Sequence, residues 1–340
     1  MKKIALIVAM LTVMGTGTAN ALQFNNGRSA IKISGYGAAG FIEPNLKETL
    51  FLGDFDLRAQ YNYAIARGQT LGFVYDWDAT ALDDREYAHD AFALWENRDI
   101  GRVEVGLTES AAHKLGVGVP DVGGLRVNNK PLFYKRISPD GTVIPETSVT
   151  SGHTSPRINL VTAPTNVGQY GVSVAAFGDD YDYAVDGGVK FRFPNGKLKS
   201  ALSLGASFID NPYKYRLASY APRVTADWRA QGSIGFNLQY NSWIWGTSVL
   251  AIYDKKPVGN VAGDGISAGT GVSYDVLNYS LSLSYLYSHT GIWHEDMDNY
   301  DNHSVIGSVR YKYSENISTW ASIGLTSETP FLSAALKIEF

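Results

Sequence analysis

The 340-residue chain contains no cysteine. That excludes disulfides and thiolate metal sites, and it suits a chain that must cross an oxidising compartment unfolded. Long apolar runs are also missing: beyond the N-terminal segment, nothing offers the 18 or more continuous apolar residues of a membrane helix. A passage through a membrane would therefore have to be made by strands closed into a barrel. The excess of charge of one sign is small, with Lys and Arg numbering 29 against 33 Asp and Glu, a net of −4. Such mild acidity argues against a nucleic-acid partner. One catalytic signature is absent too: the sequence has no His-Glu-x-x-His pair. Gly35-Tyr36-Gly37-Ala38-Ala39-Gly40 matches a dinucleotide fingerprint in spelling, but Pro44 and the continuing strand pattern deny the helix that would hold a pyrophosphate. No cofactor is implied.

What the chain does have begins with Lys2 and Lys3, an apolar stretch from Ile4 to Val13 and the small-x-small triplet Ala19-Asn20-Ala21. This is the anatomy of a cleaved export signal over residues 1–21, leaving 22–340 as the mature domain. Tyr 21, Phe 14, Trp 7 and Gly 35 give a composition that strands and turns use. From Arg223 to Tyr240 the residues alternate. Val224, Ala226, Trp228, Ala230, Ile234, Phe236 and Leu238 share one parity, and Arg223, Asp227, Arg229, Gln231, Asn237 and Gln239 the other. Successive strand side chains point to opposite faces, so one face meets an oily phase and the other meets water. Residues 51–65 repeat the arrangement, with Phe55, Leu57, Ala59, Tyr61 and Tyr63 against lipid and Asp54, Asp56, Arg58, Gln60 and Asn62 inward.

Alternating segments separated by turn chemistry predict sixteen strands, near 30–43, 51–65, 69–80, 86–97, 100–109, 155–164, 168–178, 182–193, 197–209, 222–240, 243–254, 264–276, 278–290, 302–314, 317–328 and 330–340. The third, fourth, seventh and eleventh of these alternate less cleanly. Tight links such as Ala66-Arg67-Gly68-Gln69, Pro194-Asn195-Gly196 and Asn241-Ser242 take turns with longer polar loops. Aromatics flank the tight links, as an interfacial girdle would. Short turns at one end and long loops at the other point to an all-β, 16-stranded antiparallel transmembrane β-barrel. A soluble sandwich would use strands about half this length.

Phe331-Leu332-Ser333-Ala334-Ala335-Leu336-Lys337-Ile338-Glu339-Phe340 alternates and finishes on phenylalanine. It resembles the C-terminal signal of Gram-negative outer-membrane porins. Ile33-Ser34-Gly35-Tyr36-Gly37 is similar to the first strand of that family, and residues 91–107, from Ala91 to Leu107, to its fourth and fifth strands. The resemblance implies a homotrimer in the outer membrane, in contact with lipid and lipopolysaccharide and delivered by the barrel-assembly machinery through Phe340. It implies passive diffusion of small hydrophilic solutes and ions through a pore narrowed by an inward-folded third loop. Glu109 to Thr154 is the candidate loop, rich in Gly and Pro and carrying Leu115, Val117, Val119, Val122 and Leu125 for packing against the wall.

In porins, acidic loop residues oppose basic wall residues at the constriction and set up a transverse field. Asp121, with Glu109, is the expected loop acid here; Arg58 and Arg229 are expected mid-strand wall cations; Arg126 and Lys130 add charge from the loop. The stretch His289 to His303 offers Asp296, Asp298 and Asp301 for calcium in an outer loop, although it lacks the glycine and terminal glutamate of an EF-hand. Two alternatives remain. One is a substrate-selective porin with saturable flux. The other is a plugged barrel serving as a surface binding protein or outer-membrane hydrolase, for which His89 and His113 are the nearest histidines but have no evident serine partner.

Overall fold

The computed structural model describes residues 22–44, 46–47, 49–80, 87–122, 147, 149, 155–177, 182–210, 227–255, 263–290, 300–326 and 329–340. The expected export signal, and the strand residues expected at 222–226, lie outside them. The strands are β1 (Leu22–Asn26), β2 (Ser29–Pro44), β3 (Leu50–Ala66), β4 (Gln69–Thr80), β5 (Tyr87–Asn97), β6 (Gly101–Thr108), β7 (Ser155–Thr162), β8 (Gly168–Phe177) and β9 (Asp182–Asn195). They continue with β10 (Leu198–Asp210), β11 (Trp228–Tyr240), β12 (Trp243–Lys255), β13 (Gly263–Val276), β14 (Tyr279–Thr290), β15 (Tyr300–Lys312), β16 (Ile317–Thr326) and β17 (Thr329–Glu339).

From β2 onward each strand pairs antiparallel with the next, and β17 pairs back onto β2 from Phe331↔Pro44 to Glu339↔Tyr36. The wall is thus a closed barrel of sixteen strands with no free edge, as the hydrogen-bonding demand of a lipid phase requires. The additional strand, β1, was not among the expected ones. It folds back through Gly27, whose φ of +60° suits glycine, and pairs with β2 from Leu22↔Ile33 to Asn26↔Ser29. It therefore prolongs the line of β17 along one edge of β2, where Gly35 and Phe340 exchange two backbone hydrogen bonds of 2.9 Å.

The expected faces hold. Leu204, Ile234, Leu281, Leu283, Val305 and Ile323 are exposed on the outside, where a bilayer replaces water. Aromatics form a belt at the short-turn end, where Trp243 lies 4.4 Å from Tyr274 and Tyr279 lies 4.8 Å from Tyr311 between ring centroids. A second belt at the long-loop end links Tyr183, Phe208, Trp228 and Tyr253 at 6.1, 5.7 and 5.3 Å. Trp228 and Tyr240 mark the two belts on one strand. Twelve residues of tilted strand separate them by roughly 30 Å along the barrel axis, close to the height of an outer-membrane apolar band.

Candidate constriction inside the barrel

After Thr108 the chain leaves the wall and turns into the lumen. Ser110 caps a short helix, α1 (Ala111–Leu115), by accepting a hydrogen bond from the His113 backbone N–H at 3.1 Å. The helix lies on the inner face of β8 and β9. Ala111 N–H donates to Ser173 Oγ at 3.3 Å and Ala112 N–H to Asp186 Oδ1 at 2.9 Å. Neither approach would be possible with ordinary side chains below. A Cβ at Gly188 would stand 2.8 Å from Ala112 Cα, and one at Gly171 would stand 3.0 Å from Leu115 Cδ1.

The same device continues around the barrel. Val117 N–H donates to Ser203 Oγ at 2.9 Å, and Val122 N–H to Ser282 Oγ at 3.1 Å, while Ser284 donates to the Pro120 carbonyl at 3.2 Å. Cβ atoms at Gly235, Gly246, Gly269 and Gly271 would collide with Val117, Pro120 or Val119. The returning limb is seated alike, with Val149 N–H on Ser233 Oγ at 3.2 Å and Ser248 donating to Thr147 at 2.5 Å. Residues 110–122 thus run as a ledge from β8 to β14, its backbone polar groups answered by wall serines and its bulk accommodated by wall glycines.

Two charged clusters fix the root of the ledge. Arg157 and Asp186 pair at 3.2 Å with side chains 0% and 1% exposed, and Ser155 and Ser173 supply further hydrogen bonds. Glu104, 3% exposed, accepts from Asn159 Nδ2 at 2.9 Å and from the Lys114 ammonium of α1, and forms an ion pair with Arg102 at 2.8 Å. Lys114 also donates to Thr108 Oγ1 at 2.7 Å and stands 5.2 Å above the Phe92 ring. Buried charges hold only where such partners exist. These clusters spend several of the lumen's charges on holding the ledge.

Asp121 lies on the ledge and accepts from Ser282 Oγ at 3.3 Å. Glu109 is half-buried at the ledge's root, where its carbonyl accepts from Asn159 at 2.8 Å. Arg58 faces the lumen from mid-β3, 39% exposed, and pairs with Asp76 of the neighbouring strand at 3.5 Å. Arg229 is the second residue of β11 and only 3% exposed, so it stands near the long-loop end of its strand rather than in the middle. Arg126, Lys130, Asp296 and Asp298 lie outside the described residues. Asp301 is on the outer face of β15, where Tyr287 and His289 each reach its Oδ1 at 2.8 Å. Among the described residues no group of three or more His, Asp or Glu is placed to hold a metal ion.

The sequence reading missed Glu104, Lys114, Arg157 and Asp186, and the inward glycines. Their signal was present as broken alternation. Leu250 faces inward on β12 and is buried with Ala112 and Val149. Phe92 and Leu94 face inward on β5 and are buried with Val74. These are apolar residues on a lumen face, in two of the strands whose pattern is least regular.

A closed sixteen-stranded barrel with girdles at both rims and a ledge seated on its inner wall defines the class: a transmembrane β-barrel with a segment of its own chain folded into the lumen. That architecture recurs among solved structures. Outer-membrane expressed OmpT of Vibrio cholerae aligns with a TM-score of 0.67 at 10% identity, covering 94% of this chain and 100% of that one. OmpF of Salmonella typhi, in complex with daunomycin, gives 0.65 at 9% identity over 94% and 100%. An anion-selective porin from Comamonas acidovorans gives 0.62 at 12% over 92% and 100%. The chain has the fold of the bacterial outer-membrane porins. No protein-family model and no curated protein sequence matches it.

Proposed function

We propose that this chain is an outer-membrane porin, exported by its N-terminal signal, through which small hydrophilic solutes and ions diffuse passively past a constriction made by the ledge. The observation that carries the reading is the seating of residues 110–122 along the inner wall from β8 to β14. A segment held flat against the wall narrows a bore and leaves the remaining cross-section open. No reaction is part of the reading. A homotrimer is the proposed assembly; one of the structures with this fold, OmpT of Vibrio cholerae, is described as a trimer form. Lipid and lipopolysaccharide would surround it, with the barrel-assembly machinery recognising the end at Phe340.

The test is single-channel recording of the detergent-folded protein in planar bilayers. Open-channel steps closing in thirds are expected, with flux linear in solute concentration. A folded barrel that passes no current would overturn the reading, and saturable flux of one solute would replace it with a substrate-selective porin.

A further inference from the structure

The inner wall at the short-turn end is uneven in charge. On β9, Lys190 and Arg192 follow Gly188 on the lumen face, one and two strand repeats beyond the point where α1 touches the wall. On β10, Lys199 faces the same space, in register with Pro194 and so diagonal to Arg192. Same-face neighbours on one strand stand roughly 7 Å apart, and diagonal neighbours on adjacent strands roughly 7–8 Å. The three cations thus form a row running toward the short turn, Arg192 between Lys190 and Lys199, with Lys197 at the adjoining turn.

Their neighbours on this face are neutral. Gln169 on β8 accepts from Arg192 Nη2 at 3.2 Å, and Asn237 and Gln239 face inward from β11. Among the described residues, the short-turn half of the inner face from β8 to β11 carries no carboxylate. The nearest inward acid on β9, Asp186, is committed to Arg157 and α1. The wall of β3 to β5 has the opposite character toward the long loops, with Asp56, Asp76 and Asp90 turned inward. Like charges set this close on neighbouring strands repel and weaken the sheet. A chain with more acids than bases could have neutralised them, and here it has not. Arg192 and Lys199 are exposed and Lys190 half-exposed, so all three are open to solute.

We propose that Lys190, Arg192 and Lys199 form a holding site for small multivalent oxyanions, phosphate-bearing or polycarboxylate, immediately below the ledge on the short-turn side. Long lysine and arginine side chains spaced along such a row can each reach oxygens of one extended anion, and charge-assisted hydrogen bonds are the strong ones. The neutral amides of Gln169, Asn237 and Gln239 extend the same surface for the solute's polar remainder. The site would gather polyanions at one mouth of the bore and pass them to the constriction. It rests on the porin reading for its purpose, although binding itself does not need conduction.

Calorimetric titration of the detergent-folded full chain with sodium pyrophosphate, and separately with citrate, tests the site. Saturable binding of one anion per chain is expected, weakening by about tenfold or more in Lys190→Gln/Arg192→Gln/Lys199→Gln. Lys190→Arg/Lys199→Arg keeps the charge and should bind within about threefold of the parent. Preference for pyrophosphate over citrate would identify phosphate-bearing solutes, and the reverse order polycarboxylates. Equal affinity in the parent and the triple variant, or no saturable binding of either anion by the parent, overturns the site. Should the triple variant not fold, Lys199→Gln alone, at an exposed strand end, gives the same reading with a smaller drop. In bilayers, pyrophosphate added at the short-turn mouth should reduce the parent's current more than when added at the other mouth. A conducting channel indifferent to pyrophosphate on both sides sinks the site and spares the porin reading; a silent barrel that binds pyrophosphate does the opposite.

Discussion

Arg157 of β7 and Asp186 of β9 meet at 3.2 Å behind the ledge with almost no exposed side-chain surface, and the Asp186 carboxylate also receives the backbone N–H of Ala112. One carboxylate therefore ties wall to wall and wall to ledge. Asp186→Ala leaves a buried guanidinium without its main partner and should destabilise the barrel by about 3–5 kcal/mol. Replacing both residues, as Arg157→Met with Asp186→Leu, should restore most of that stability without restoring the tie to α1. Urea unfolding in lipid vesicles measures the first effect. Noisier open-channel current in both variants would report the second, and quiet current in the double variant would count against the tie.

Gly235 lies directly beneath the Val117 carbonyl, so Gly235→Val must push the ledge toward the barrel axis. The expected result is a smaller single-channel conductance and a stability loss of about 1–3 kcal/mol from overpacking. A variant with parental conductance would show that this part of the ledge does not set the narrowest section.

Ser203 and Ser282 each accept one ledge backbone N–H, at 2.9 and 3.1 Å, and Ser233 accepts that of Val149 on the returning limb at 3.2 Å. Changing all three to alanine removes neutral hydrogen bonds worth about 0.5–1.5 kcal/mol each. The wall strands keep their own ladders, so the barrel should still migrate as folded on unheated gels. Exchange of the Val117 and Val122 amides with deuterium should accelerate by an order of magnitude or so per bond lost. Unchanged exchange would mean that packing on the glycines holds the ledge alone.

Asp121, a sequence-nominated loop acid, has a carboxylate contact with the wall through Ser282. Asp121→Asn keeps an acceptor for that hydroxyl while removing the charge. The reversal potential under a salt gradient should move toward anions, with unfolding unchanged within about 0.5 kcal/mol. An unmoved reversal potential would take Asp121 off the ion path.

The barrel was legible because strand periodicity is two: exposed wall residues such as Leu281, Leu283 and Ile323 alternate along their strands with serine or glycine. The sixteen expected strands correspond to β2 through β17, with ends differing by a few residues. β1 escaped notice because Leu22–Asn26 directly follows the expected cleavage point and is too short to show a period. The ledge was legible only as part of a long loop between β6 and β7. Alternation tells which residues face inward, but not which of them face water and which face another part of the chain. Leu250 and Phe92 looked like defects in a pattern because their partners, Val149 and Ala112 in one case and Lys114 in the other, lie far along the chain or on the ledge itself. Glu104 and Asp186 looked like any hydrated lumen charge. Arg229 was nominated as mid-strand because the alternating pattern reaches back to Arg223, whereas the described strand opens at Trp228.

The seam where β17 meets β2 joins segments some three hundred residues apart, while every other pair in the wall is made between consecutive strands. Closing a loop of that length costs about 4 kcal/mol more chain entropy than closing a tight turn. A curved, unfinished sheet of fifteen strand pairs can form by local zipping, but its two outer strands must then find each other across the whole chain. Barrel closure is therefore the slow and concerted event of assembly. Until it happens, β2 and β17 both offer unpaired backbone to any strand nearby.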